Sequence, residues 1–151
     1  MNRRVFFAVS AFSAFALTLS AAARADTVLN PQRTQGLVAP AAQGAHTLVA
    51  LKGPGKFVSA QITKQGGATG MTFVSLDIDG RNVVNASIAA LRNWALTQSN
   101  PYGIVALSAA GLDTVTIGYP STLTYRRSLS LSVNVQEPNV AQIIGNVVHG
   151  Q

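Results

Sequence analysis

The clearest pattern in the chain is an alternation over residues 123–135. Leu123, Tyr125, Leu129, Leu131, Val133 and Val135 fall on one face, while Thr122, Thr124, Arg126, Ser128, Ser130, Ser132 and Asn134 fall on the other. Successive side chains of a strand point to opposite faces, so this segment has one buried and one wet face, as in an antiparallel sheet. Arg127 breaks the alternation and predicts a bulge or strand end beside Arg126. Residues 47–51, 56–63, 71–78, 104–109 and 112–119 also read as strands, with Val58, Ala60 and Ile62 on one face of the second, and Val74, Leu76 and Ile78 on one face of the third. Asp79-Gly80 supplies the pair a type I′ hairpin demands, since both central positions need positive φ, and Arg81 begins the return strand. Pro120-Ser121 punctuates, and the glycine-rich residues 66–70 read as a flexible loop.

A helical period is confined to residues 87–98. Ser87 stands at the cap position, Ile88, Leu91 and Ala95 share a stripe, and Asn100-Pro101-Tyr102-Gly103 ends it. Residues 140–148 fit both periods. Val140, Ile143, Ile144, Val147 and Val148 make a helical stripe, while their β-branching and Gly145 favour a strand, the reading preferred here. Residues 26–45 carry Pro31, Gly36 and Pro40 without periodicity and read as a flexible N-terminal arm. Residues 46–151 then form the domain: an all-β antiparallel sandwich, jelly-roll-like, with one short helix.

The first 25 residues have a different texture. Arg3-Arg4 precedes an uncharged apolar run over residues 5–23, and Ala23-Arg24-Ala25 has the small-x-small pattern of signal-peptide cleavage, between Ala25 and Asp26. Arg3-Arg4-Val5-Phe6-Phe7 resembles a twin-arginine signal, although Asn2 stands where Ser or Thr is usual; an ordinary Sec signal is the alternative. Either route predicts a periplasmic or secreted protein with no membrane span after cleavage. The chain's formal charge of +6 includes three arginines of this leader. From Asp26 onward eight Lys and Arg face five Asp and Glu, leaving +3. Scattered positives of that number do not make a nucleic-acid stripe. Without cysteine there is neither a disulfide framework nor a thiolate metal site.

Candidate chemistry is sparse. Asp77-Ile78-Asp79-Gly80 lacks the glycine and glutamate spacing of a calcium loop. Asp77, Asp79, Asp113 and Glu137 are the pool for a glycosidase pair and read as surface charges and turn formers. His46 and His149 lie near the ends of the expected fold and read as surface histidines; no Gly-x-Ser-x-Gly elbow accompanies them. Gly53-Pro54-Gly55-Lys56 lacks the spacing of a phosphate loop and reads as a turn. No metal or cofactor is expected. Trp94, Tyr102 and Tyr119 are the candidate ligand-binding residues, as a platform for sugar rings, against the simpler reading of core and rim packing.

Phe57-Val58, Leu76-Asp77-Ile78-Asp79-Gly80 before a short helix, and Tyr125-Arg126-Arg127-Ser128-Leu129 opening a long strand resemble one jelly-roll unit of the glycoside hydrolases related to difructose-dianhydride-forming enzymes. The resemblance spans residues 53–135. It implies the topology and oligomerisation, that family being trimers of double rolls; no residue here matches its catalytic carboxylates. The sequence therefore points to an exported, non-enzymatic β-sandwich acting in binding or assembly at the cell envelope. It is expected as a homo-oligomer or with a glycan or envelope protein as partner. A carbohydrate-binding module and a glycoside hydrolase are the alternatives.

Overall fold

The structure, a computed structural model, describes residues 28–95 and 103–151. Its elements are β1 (Gln32–Val38), β2 (Gly44–Lys52), β3 (Gly55–Gly66), β4 (Thr72–Ile78), β5 (Arg81–Ser87), α1 (Ile88–Ala95), β6 (Val105–Ala109), β7 (Leu112–Tyr125), β8 (Ser128–Val135) and β9 (Val140–Gly150). They form two antiparallel sheets, one in the order β1-β9-β3-β7-β6 and the other β2-β8-β4-β5. The protein is an all-β sandwich with one short helix. Pairing is nested: β1 meets β9, β2 meets β8, β3 meets β7, and β4 meets β5.

The core lies between the sheets, built from the inward positions of both. Leu129, Leu131, Val133 and Val135 of β8 are all buried, as their period-2 pattern requires. The strand they belong to ends where Arg127 interrupts the pattern, and the chain there crosses from the five-stranded to the four-stranded sheet. Asp79 and Gly80 form the hairpin turn with φ of 54° and 79°. Ser87 Oγ accepts from the Ala90 amide at 3.1 Å and caps α1, whose Ile88 and Leu91 are buried. Residues 140–148 are indeed a strand, β9, set between β1 and β3.

Three expectations need correction. The supposed flexible arm contains β1, whose backbone pairs with β9 across a sequence separation that local patterning does not register. Pro120-Ser121 does not end a strand. β7 runs through it by bulging, with Val58 of β3 spanning residues 119–122 between the Phe57–Leu123 and Ser59–Gly118 pairs. The same shift puts Phe57, rather than Val58, on the buried face with Ala60 and Ile62. A second bulge, in β2 at Leu48, turns both Leu48 and Val49 inward.

Candidate functional site

Three buried faces extend into charge at one end of the sandwich. On β3 the inward series Ala60, Ile62 continues to Lys64; on β7 Ile117, Val115 continues to Asp113; and beyond β8 Val133, Val135 continues to Glu137. Alternation thus drives three ionisable side chains together at the edge of the core. Lys64 Nζ donates to Glu137 Oε1 at 2.7 Å and lies 3.4 Å from Asp113 Oδ2. Lys64 is 0% exposed and Glu137 1%, so Glu137 is not the surface charge expected of it.

Glu137 is saturated. Its Oε2 accepts from the amides of Thr69 and Gly70 and from the Thr69 hydroxyl, and its Oε1 accepts from the Thr72 hydroxyl as well as Lys64. Burial pushes its pKa upward, but the Lys64 ammonium, the Thr69 amide and the Thr72 hydroxyl outweigh it and hold the carboxyl at about 2. The glycine-rich loop expected to be loose is folded around this carboxylate. Asp113 is shared: Arg92 Nη1 from α1 reaches its Oδ1 at 2.9 Å, and the Ser108 hydroxyl donates to the same oxygen. Each charge here answers another, which is a structural arrangement more than a reactive one.

The opposite end carries the turns β2–β3 and β4–β5 and the β7–β8 link. Here lie Lys52, Lys56, Arg81, Arg126 and Arg127, with Asp77 and Asp79 as the side-chain carboxylates among them. Asp79 accepts from the amides of Arg126, Arg127 and Ser128, which hold its pKa below the usual carboxylate range. Arg127 Nη2 returns a bond to the Asp79 carbonyl. A shallow depression of about 470 Å³ is lined by Ile78, Asp79, Arg81, Val83, Arg126 and Arg127.

The third feature is the outer face of the five-stranded sheet. Register aligns Leu37, Ile144, Thr63, Thr114 and Leu107 in one row across all five strands, and Gln35, Asn146, Gln61, Thr116 and Val105 in the next. Thr63 and Thr114 hydroxyls meet at 3.0 Å, and Gln142 donates to Gln65 at 2.9 Å. Val105 and Leu107 are each 67% exposed, and Leu37 and Leu112 stand out on the same face. Among the face's described residues the charged ones are Arg33, beside Val148, and Lys56, beside Gly150 at the sheet's end.

Of the expected ligand-binding residues, Trp94 in the last turn of α1 and Tyr119 in the β7 bulge are half-buried and pack on the core. Tyr119 meets Phe57 edge-on, ring centroids 6.3 Å apart at 72°. Tyr102 lies outside the described residues, as do Ala25 and Asp26 of the expected cleavage site. His46 Nε2 bonds the Ala42 carbonyl at 2.7 Å, and His149 Nε2 bonds Thr34 Oγ1 at 2.9 Å. Among the described residues no three of His, Cys, Asp or Glu are grouped to hold a metal, and no helix is long and apolar enough to cross a membrane. No family model matches the chain, and no curated protein matches it.

Proposed function

We propose that this protein is an exported, non-enzymatic jelly-roll sandwich that works by assembly at the cell envelope, and that copies meet through the outer face of the five-stranded sheet. The observation that carries this reading is the composition of that face: two complete rows of Thr, Gln, Asn and aliphatic side chains without a charge. Charge depletion with exposed aliphatics marks the centre of protein interfaces rather than ordinary surface. Five strands about 4.8 Å apart and about seven residues long make a face of roughly 500 Å² in projection, the order needed for one side of a stable dimer. Threonine hydroxyls and amide groups both donate and accept, so the face complements itself without needing an opposite charge on its partner.

The nested strand pairing supports the jelly-roll topology, and the leader supports the periplasmic or secreted location. Against hydrolysis, Glu137 and Asp113 are tied to cations and Asp79 to backbone amides, so none stands ready as an acid or a nucleophile.

Sizing with light scattering on the processed protein tests the reading. A dimer or larger closed oligomer is expected, and Thr63→Lys with Leu107→Lys should return it to monomer by placing like charges across the interface. A wild-type monomer at high concentration removes the proposal. Binding of that monomer to a glycan array, abolished by the same substitutions, would assign the face to carbohydrate instead.

A further inference from the structure

Charge is divided unevenly between the two ends of the sandwich. At the end holding β3–β4, β6–β7 and β8–β9 links, Lys64 and Arg92 are paired with Glu137 and Asp113, and the side-chain charges sum to zero. At the other end, five cations stand with two side-chain carboxylates, Asp77 and Asp79, leaving +3. Those five are most of the eight Lys and Arg among the described residues. Lys52, Arg81, Arg126 and Arg127 are exposed, and they come from three separate chain connections that the fold brings to one rim. Asp79 offsets one of these charges, its oxygens resting on the amides of residues 126–128.

A second observation belongs to the same end. The chain before β1 leaves the fold there: the Leu29 amide donates to the Gln151 carbonyl at 2.7 Å, and the Gln151 amide to the Leu29 carbonyl at 2.8 Å, just past the end of β9. Val28 packs close enough to Gly150 that a side chain on the glycine would meet it. The apolar leader ends at Ala23, so at most roughly 18 Å of chain separates it from Val28. While the leader occupies a bilayer, this rim is the part of the domain nearest the headgroups.

We infer that the basic end is a docking surface for an anionic phospholipid bilayer, which holds the domain against the membrane it has crossed. Clusters of roughly four to eight Lys and Arg beside an apolar segment bind acidic headgroups by the local surface potential, which decays within a Debye length. The shallow depression between Arg81, Arg126 and Arg127 suits phosphate oxygens, since guanidinium groups bind them in pairs. The sheet face proposed for assembly meets this rim only at Lys56, which the variant below leaves unchanged, so the two readings are tested independently.

The test is cosedimentation of the processed protein with vesicles of phosphatidylcholine alone or of equal parts phosphatidylcholine and phosphatidylglycerol. Binding to the acidic vesicles only is expected, weakening as salt is raised, with a loss of roughly tenfold or more in the variant Lys52→Gln, Arg81→Gln, Arg126→Gln. These side chains are exposed, and an unchanged melting temperature would show that the variant is folded. Equal binding to both vesicles, or full binding by the folded variant, overturns the inference. Tighter binding to soluble alginate than to the acidic vesicles also overturns it, by assigning the rim to an acidic polymer.

Discussion

Lys64 Nζ lies 2.7 Å from Glu137 Oε1, with both side chains closed off from solvent. The pair joins β3 of one sheet to the chain leaving β8 of the other, so it ties the two layers together at their charged end. Removing one partner strands the other. Lys64→Met is expected to cost about 3–5 kcal/mol, the usual range for breaking a buried pair. Glu137→Gln should cost less, because Lys64 keeps Asp113 at 3.4 Å. Urea denaturation checks both, and the double variant should lose less than the sum of the singles because the sites are in contact.

The same pair sets an acid limit. Folding lowers the Glu137 pKa from its ordinary 4.5 to about 2, so its contribution is complete above the ordinary value and is lost as pH falls toward the folded one. The difference corresponds to about 3 kcal/mol. Asp79, also lowered, acts in the same direction. Unfolding midpoints measured from neutral pH down should stay flat and then decline below about pH 4.5. In Glu137→Gln most of that decline should vanish, and in Lys64→Met it should shrink, because the folded pKa then lies nearer the ordinary value.

Much of the fold was legible because it rests on local chemistry: period 2 for β4 and β8, positive φ at Asp79 and Gly80, a serine cap before α1. The charged cluster was written in the same code but hidden by residue type. Lys64, Asp113 and Glu137 each continue an inward series, yet a charged residue at a strand end is usually solvated, and only the meeting of three strand ends makes burial tolerable. β1 was missed because its stability comes from β9 and not from its own composition. The outer face was visible strand by strand as polar positions, but its lack of charge emerges only when five strands are placed in register.

Gly36 and Gly145 are cross-strand partners on β1 and β9, and both face Leu48, the residue that the β2 bulge turns into the core. A Cβ on Gly36 would collide with the Leu48 carbonyl, and one on Gly145 would come within 2.8 Å of Leu48 Cδ1. Two glycines side by side therefore let the sheets approach over Leu48. Gly36→Ala and Gly145→Ala should each destabilise by about 1–3 kcal/mol through overpacking. Adding Leu48→Ala should recover part of the loss in Gly145→Ala, where the clash is with a side chain. It should not recover Gly36→Ala, where the clash is with backbone. Thermal unfolding of the four variants separates these cases.

Asp79 links a hairpin turn to the crossover between sheets. Its position in the type I′ turn aims the carboxylate at the Arg126, Arg127 and Ser128 amides, so the β4–β5 turn fixes the path of the chain from β7 into β8. Asp79→Asn keeps the turn, since asparagine also adopts positive φ, but replaces a charged acceptor of three amides with a neutral one. Gly80→Ala keeps the carboxylate and strains the turn, where φ is 79°, at a cost of about 1 kcal/mol. The two are therefore expected to differ in place as well as in size. Hydrogen exchange should quicken at the amides of residues 126–128 in Asp79→Asn, while Gly80→Ala should lower the melting temperature without selective exchange there. Equal protection of those three amides in wild type and Asp79→Asn would show that the crossover holds itself without the aspartate.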